Sequence, residues 1–116
     1  MTGRIINGFK ESFHYQTLFQ ERVTGAKCPS DNLEHFKYHV LAMVEEMGEV
    51  MKADKRWKTH RNTRHDQEEK VDEIADVFIT AMNIAIHSGM DANDVLIAIE
   101  RKIEENFERL NKVEEC

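Results

Sequence analysis

Six polar residues follow one line along a stretch of the chain whose other positions are mainly apolar. They are spaced alternately by four and three residues: Glu69, Glu73, Asp76, Thr80, Asn83 and His87. At about 100° per residue, this spacing places them on one arc of a helix. A helix that is apolar around the rest of its surface is buried, so the pattern predicts an inward-facing polar seam. A carboxylate buried there must be paired, protonated or bound to a metal ion.

A second acidic group, Glu45, Glu46 and Glu49, follows an apolar run earlier in the chain. Glu46 and Glu49 are three residues apart and therefore share one face of a predicted helix. Two acidic pairs on two facing helices would supply hard oxygen ligands, which Mg²⁺ and Mn²⁺ prefer. The spacing thus predicts a divalent-metal site in which Glu46 and Glu49 face Glu73 and Asp76.

The order and spacing of the two acidic motifs resemble the MazG-like, all-α nucleoside triphosphate pyrophosphohydrolases. The pattern of that family is Glu-Glu-x-x-Glu, a variable spacer and Glu-x-x-Asp. The chain has Glu45-Glu46-Met47-Gly48-Glu49 and then Glu73-Ile74-Ala75-Asp76. The similarity continues through Met82-Asn83-Ile84-Ala85 to Lys102-x-x-x-Asn106-x-x-Arg109, so it covers about residues 41–109.

This resemblance implies an all-α, four-helix bundle completed by homo-oligomerisation, as a dimer or a tetramer. It implies hydrolysis of a (d)NTP to (d)NMP and pyrophosphate, in which a metal-activated water attacks the α-phosphorus. The implied cofactor is Mg²⁺, with Mn²⁺ as a substitute, and the implied ligands are Glu46, Glu49, Glu73 and Asp76. Glu45 is turned from the ligands by about 100°, and is the predicted general base or a contact to a second metal ion.

The basic residues of this acidic chain cluster between the two acidic motifs, from Lys52 to Arg64. A triphosphate needs cations as well as metal ions to neutralise its charge, so Lys52 and Lys58 are predicted to bind its outer phosphates. Trp57 is predicted to stack on the base, and the pair Trp57-Lys58 is similar to the dimeric dUTPase and dCTPase branch of the superfamily. The alternatives are a solvated loop for the cluster and packing at a helix end for Trp57.

Four further polar residues are candidate substrate contacts. Asn83 lies on the polar seam and either contacts the ligand or forms hydrogen bonds within the core. Lys102, Asn106 and Arg109 are spaced by four and three residues, so they share one face of the last predicted helix. The resemblance implies that these three orient the phosphates, from the same chain or from a partner subunit. The alternative is a solvated charged face.

Four helices are expected to position these groups. The first is predicted over residues 7–24 and ends at Gly25, and the second runs from an Asp31-x-x-Glu34 capping box to about Trp57. The third is predicted over residues 67–87 with Gly89 as a left-handed cap, and the fourth, capped by Asp91, over residues 92–113. The predicted core stripe of the second helix is Val40, Met43, Val44, Met47, Val50 and Met51.

Length and composition limit the remaining possibilities. A chain of 116 residues predicts one domain over residues 1–116. The net charge of −6 argues against general nucleic-acid binding. Two cysteines without metal-ligand spacing fit a reducing compartment, and no stretch approaches the roughly 20 apolar residues that span a bilayer. We therefore expect a cytoplasmic protein whose partners are its substrate and other copies of itself.

Alternatives for the function remain open on the sequence alone. A dUTPase- or dCTPase-like enzyme and a phosphoribosyl-ATP pyrophosphohydrolase share the predicted fold and reaction but differ in substrate. Another metal-dependent phosphoester enzyme is a more distant alternative. A non-enzymatic helical module, stabilised by metal and used for oligomerisation, belongs to a different class. Base and sugar preference depends on the shape of the pocket, which no motif encodes.

Overall fold

A computed structural model describes residues 7–58 and 65–115 of the chain. Four helices make up this part: α1 (Gly8–Thr24), α2 (Leu33–Ala53), α3 (Gln67–Ile86) and α4 (Ala92–Glu115). A short 3₁₀ turn, Lys55–Trp57, follows α2. The described residues contain no strand beyond an isolated bridge between Asp31 and Ser88. The predicted all-α, four-helix class is confirmed.

Several helix ends lie where the sequence predicts them. Gly25 ends α1 with a left-handed φ of 71°, and its N–H donates to the carbonyl of Glu21. Gly89 has a φ of 78° in the turn after α3. The carboxylate of Asp91 accepts the N–H of Asp94 at 3.0 Å, which caps α4.

The predicted start of α2 is wrong by one residue. Asn32 is the N-cap, and its side-chain oxygen accepts the N–H of His35 at 3.1 Å. Asp31 does not cap the helix, because its backbone forms the bridge with Ser88. Glu34 therefore does not complete a capping box, and its carboxylate pairs with Lys37 at 3.7 Å.

The predicted end of α2 at Trp57 is also wrong, because the helix stops at Ala53. Asp54 adopts an extended conformation, and its carboxylate accepts the backbone N–H of Arg56 at 3.1 Å. The same carboxylate binds the ammonium of Lys70 on α3 at 3.0 Å. These contacts turn the chain out of the helix and pin the turn to α3.

Helices α2 and α3 share the most extensive helix–helix contact. They form an antiparallel hairpin that is held by specific contacts at both ends. The Asp54–Lys70 ion pair closes one end. At the other end, the N–H of Asn32 donates to the carbonyl of His87 at 2.9 Å, so the segment between α1 and α2 is tied to the end of α3. Helix α1 packs on α3, and α4 packs on α1.

The interior of the single chain is small. Phe13, Cys28 and Ile86 form the buried apolar cluster, and Ala92 and Val95 at the start of α4 pack against it. Polar residues occupy much of the remaining buried space: Gln20, His39, Thr80, Asn83 and His87.

The predicted core stripe of α2 is largely wrong for the isolated chain. Val40, Val44, Met47 and Met51 are exposed, and Val44 has 65 % of its surface accessible. The chain exposes 9072 Å², whereas a compact protein of this mass exposes about 6,600 Å². The apolar face of α2 thus stays largely uncovered by the residues that the structure describes. Even so, no helix in the described part is long and apolar enough to cross a membrane.

The buried cluster predicts a sharp contrast between two apolar truncations. Ile86 is 0 % exposed, so Ile86→Ala should leave a cavity and lower the free energy of unfolding by about 2–5 kcal/mol. Val113→Ala, near the end of α4 where the side chain is 71 % exposed, should cost about 0.5 kcal/mol or less. Urea unfolding followed by circular dichroism measures both. Equal destabilisation by the two variants would contradict the described core.

Candidate metal and phosphate site

Helices α2 and α3 bring three carboxylates together along one side of the hairpin. One carboxylate oxygen each of Glu46, Glu73 and Asp76 lies within 4.8 Å of the other two. Glu73 and Asp76 share a face of α3 because they are three residues apart, and Glu46 comes from α2. Glu46 and Glu73 are half-buried and Asp76 is exposed. Three of the four predicted metal ligands therefore converge.

Glu49, the fourth predicted ligand, lies at the rim of this cluster. It is nearly one turn beyond Glu46 on α2 and is exposed. Its carboxylate pairs with the ammonium of Lys52 at 3.5 Å. Glu49 still lies close enough for its charge to raise the pKa of Glu73. Glu49 is not among the three converging carboxylates, and its role as a ligand stays a prediction.

The charges in this cluster oppose one another. Partial burial raises the pKa of Glu73, and the neighbouring carboxylates of Asp76, Glu49, Glu46 and Glu69 raise it further. A cation among these oxygens would remove the repulsion. The donor set consists of carboxylates alone, which suits hard cations such as Mg²⁺ or Mn²⁺. The residues present therefore fit a divalent metal ion of that kind.

The far end of the polar seam faces inward, as predicted. Thr80, Asn83 and His87 are buried. The side-chain amide of Gln16 donates to the side-chain oxygen of Asn83 at 2.8 Å. Gln20 binds the ring of His87 at 2.9 Å. Asn83 thus has a partner on α1, and its contact with substrate stays a prediction.

The two glutamines of α1 were not identified from the sequence. Gln16 and Gln20 are four residues apart, as are Asn83 and His87. Gln16 binds Asn83, and Gln20 binds His87 one turn further along both helices. This matched spacing on two helices is the signal that could have revealed them.

An open cleft of about 690 Å³ lies between the end of α2 and the start of α3. It is lined by Lys52, Ala53, Lys55, His65, Asp66, Gln67 and Glu69. Glu69 is one turn before Glu73, so the cleft begins beside the acidic cluster. Lys52 is exposed and reaches from this cleft to Glu49. Residues 59–64 of the predicted basic segment lie outside the described residues.

Trp57 and Lys58 lie beside each other at the 3₁₀ turn. The indole N–H of Trp57 donates to the carbonyl of Met51 at 3.1 Å, and its ring remains 54 % exposed. The Lys58 ammonium is 5.2 Å from the ring centroid. Trp57 lines a second cleft, with Arg56 and Lys70, rather than the one beside Glu69. Its predicted stacking on a base stays a prediction.

Asp54 is a structural residue that the sequence did not single out. Its carboxylate joins Arg56 and Lys70, and these two cations hold its pKa well below the usual range for an aspartate. An acidic residue between a helix end and a run of basic residues is the available signal. Its role is to fix the turn that carries Trp57 and Lys58.

The other predicted site residues lie away from the acidic cluster. Glu45 is exposed on α2 and is not among the converging carboxylates. Lys102, Asn106 and Arg109 are exposed on α4, where Arg109 donates to Asn106 and Lys102 pairs with Glu105 at 3.6 Å. Because α4 packs mainly on α1, the single chain does not bring these three residues to the cluster. Their roles stay predictions.

A comparison with protein families identifies the relatives of this chain. The profile described as phosphoribosyl-ATP pyrophosphohydrolase matches residues 13–103, from α1 into α4. The chain belongs to this family. No curated protein and no solved structure gives a significant match.

Membership in the phosphoribosyl-ATP pyrophosphohydrolase family confirms the predicted place in the MazG-like superfamily. It supports hydrolysis of a phosphoric anhydride as the reaction class. The matched span includes the four predicted metal ligands and Lys102, and it ends before Asn106 and Arg109. The acidic cluster therefore lies within the part of the chain that carries the family assignment.

The repulsion within the cluster predicts opposite effects of one substitution with and without metal. Glu73→Gln should raise the melting temperature of the metal-free protein, because one of the opposing charges is removed. In the unsubstituted protein, Mg²⁺ at a hundred-fold excess over its Kd should raise the melting temperature by roughly 10 °C. Glu73→Gln should lose most of that response. Differential scanning fluorimetry with and without Mg²⁺ measures both effects.

The raised pKa of Glu73 gives this experiment a pH dependence. The folded state binds a proton more readily than the unfolded chain, so the destabilisation caused by Glu73 is present at neutral pH and fades as pH falls through the folded-state pKa. The metal-free difference between Glu73→Gln and the unsubstituted protein should therefore shrink from pH 7.5 to pH 5. The matched control is Glu108→Gln on exposed α4. A Mg²⁺ response that survives in Glu73→Gln would contradict this site.

Proposed function

We propose that the protein is a Mg²⁺-dependent nucleoside triphosphate pyrophosphohydrolase, which converts (d)NTP and water to (d)NMP and pyrophosphate. The observation that supports this most directly is the convergence of Glu46, Glu73 and Asp76 in a member of a pyrophosphohydrolase family. A triphosphate is one of the few common metabolites with enough negative charge to need several cations at once. The cluster and the adjacent lysine-lined cleft supply sites for both metal and phosphate.

The residues of the chain take distinct roles in this proposal. Bound by Glu46, Glu49, Glu73 and Asp76, Mg²⁺ would neutralise phosphate charge and acidify the attacking water. The new bond joins that water to the α-phosphorus, and the bond from the α-phosphorus to the bridging oxygen breaks as pyrophosphate leaves. Glu45 is the proposed acceptor of the proton from the water.

The Glu49–Lys52 ion pair offers a simple means of coupling metal and phosphate binding. The Lys52 ammonium is held by the Glu49 carboxylate at 3.5 Å. When Glu49 turns toward the acidic cluster to complete a metal site, Lys52 loses this partner. The outer phosphates then provide a replacement in the cleft that Lys52 already lines. Lys58 and Trp57 are the proposed contacts at the outer edge of the site.

We further propose that the active form is a homo-oligomer, with a dimer as its basic unit. Leu41 and Val44 on α2 are 70 % and 65 % exposed, and Phe78 on α3 is 64 % exposed. The surface of one chain in excess of a compact protein of this mass is about 2,500 Å². Two chains that covered this excess in each other would bury about 5,000 Å² in total, which is at the upper end of the range for obligate homodimers. We place a second copy of the chain on this apolar face. Lys102, Asn106 and Arg109 of that copy are the proposed additional phosphate ligands.

Phosphoribosyl-ATP is a second candidate substrate, and the description of the matching family profile favours it. It carries the same triphosphate, so the proposed metal and phosphate contacts and the bond that breaks are unchanged. The neighbouring pair Trp57-Lys58 instead favours a dUTPase- or dCTPase-like preference. The groups that would separate these substrates lie at the base and ribose, away from the acidic cluster.

The proposed reaction predicts which phosphate product appears. With Mg²⁺, purified protein should release pyrophosphate rather than orthophosphate from at least one member of a panel of canonical and modified (d)NTPs and phosphoribosyl-ATP. Asp76→Asn should lower kcat/KM by about 100-fold or more, because a metal ligand loses its charge. Glu108→Gln should leave kcat/KM unchanged. Separate enzymatic assays for pyrophosphate and orthophosphate measure the products.

Two outcomes would count against this function. Release of orthophosphate alone would place the cleavage at the γ-phosphate. No turnover of any panel member by a folded protein that still gains stability from Mg²⁺ would favour the non-enzymatic alternative.

The exposed face of the hairpin predicts the effect of a charge on assembly. Leu41→Asp or Phe78→Asp should shift the protein from an oligomer to a monomer, because a carboxylate buried at an interface without a partner is costly. Lys37→Asp, an exposed change near the start of α2, should leave the mass unchanged. Size-exclusion chromatography with light scattering gives the mass. A monomeric unsubstituted protein, or an oligomeric Leu41→Asp/Phe78→Asp double variant, would contradict the proposed interface.

A further inference from the structure

Three histidine rings meet where α2 packs against the end of α3. His35 and His39 are one turn apart on α2, and His87 is the C-cap of α3. The rings of His39 and His87 are parallel within 4°, with centroids 5.1 Å apart. The centroid of His35 is 4.9 Å from that of His87. His87 is 1 % exposed and His39 is 8 % exposed, so two of the three rings are almost fully buried.

The hydrogen bond to Gln20 determines which nitrogen of the neutral His87 ring carries the hydrogen. The Nε2 atom of His87 lies 2.9 Å from the side-chain oxygen of Gln20. An amide oxygen only accepts, so Nε2 carries the hydrogen and Nδ1 carries the lone pair. Nδ1 is buried and has no hydrogen-bond partner among the described residues. A second proton on this ring would therefore point at no acceptor, and it would add a buried charge.

Among the residues that the structure describes, none of the elements packed around His87 provides it with an anionic hydrogen-bond partner. Helix α1 contributes Gln20, whose neighbour Gln16 is already bound to Asn83. Helix α2 contributes His35 and His39.

The neighbouring elements carry one further backbone contact and three further exposed side chains, those of Asp31, Asp91 and Tyr38. The segment before α2 contributes the backbone N–H of Asn32, which donates to the carbonyl of His87. The carboxylate of Asp31, in the same segment, is exposed, as is that of Asp91 at the start of α4. Tyr38, mostly exposed, meets His39 edge-on. Burial lowers the pKa of His39, and the charges of His87 and His35 lower it further. Burial, followed by the charge of His35, lowers the pKa of His87.

We propose that the stack of His35, His39 and His87, through the bond between His87 and Gln20, is a proton-sensitive latch that holds α1 and the following segment on the α2–α3 hairpin and weakens as the pH falls below the ordinary range of histidine. The unfolded or released chain takes up protons near the ordinary histidine value of about 6.5. The closed form resists these protons, so closure is fully stable above that value and weakens as pH falls below it.

The contacts that would be lost on release are specific. Helix α1 is held by Phe13 in the apolar cluster with Cys28 and Ile86, and by the two glutamine pairs. Release would expose Phe13 and the Cys28 thiol, which is 8 % exposed in the closed form. It would also remove the Gln16 partner of Asn83 on the polar seam. Reactivity of Cys28 thus reports on the latch without requiring any enzymatic assay.

The test uses the full chain with Cys116→Ser, so that Cys28 is the single thiol. Labelling by 4,4′-dithiodipyridine is timed at pH 7.5 and 5.5, and each rate is divided by that of the urea-unfolded chain at the same pH. One pH unit below the ordinary value, each histidine kept neutral in the closed form should raise this ratio about tenfold. The expected rise is therefore on the order of 100-fold when His39 and His87 both contribute.

Two further variants separate the latch from general acid sensitivity. His39→Phe keeps a stacked ring but removes a titrating group. In this variant the labelling ratio should therefore rise only about tenfold between pH 7.5 and pH 5.5. His14→Phe removes an exposed histidine of α1 and should behave as the parent. NMR titration of the histidine rings, in which His39 and His87 should take up protons at a lower pH than an ordinary histidine, tests the latch even if His39→Phe folds poorly. An equal ratio at both pH values, or equal rises in the parent and His39→Phe, would overturn the proposal.

Discussion

The polar seam along α3 is the constraint on which the rest of the structure depends. A polar group buried without a partner costs about 1–3 kcal/mol, so each buried member of the seam requires a specific neighbour. Asn83 forms a hydrogen bond with Gln16, and His87 forms one with Gln20. These two bonds fix the position of α1 along α3. The rings of α2 cover His87 from the other side. The helices are thus aligned by polar contacts more than by the small apolar cluster.

The two ends of the seam differ in the groups that surround their polar side chains. At the His87 end, neutral amides and rings surround the polar groups, and the neighbourhood is closed to solvent. At the Glu73 end, the neighbours are all carboxylates, which repel one another and raise the pKa of Glu73. A protein gains nothing for folding from that arrangement, because hydrophobic residues of similar size would pack there at lower cost. Such an arrangement is understandable when a cation is part of the site.

The sequence predicts those features that depend on contacts within one helix or between adjacent helices. The seam, the converging carboxylates and the glycine at the end of α1 follow from spacing and local backbone chemistry. The exposure of Val44 in the single chain could not be predicted in the same way, because periodicity shows that a face is apolar but not which chain covers it. His39 stands at the start of an apolar run, and only its contact with His87 in the structure shows its polar role. Asp54 ends α2 through Lys70, a contact between residues distant in sequence.

The position of α4 links the two ends of the molecule. Its first turn packs through Ala92 and Val95 against the cluster that contains Phe13 of α1, and α4 has few other contacts within the chain. Its later residues, including Lys102 and Arg109, extend beyond that anchor. The placement of these phosphate-binding candidates therefore depends on α1, which in turn is held by Gln20 and His87. Weakening of the proposed latch at the histidine stack would therefore also loosen the packing of the first turn of α4, because that turn rests on the cluster to which Phe13 of α1 belongs.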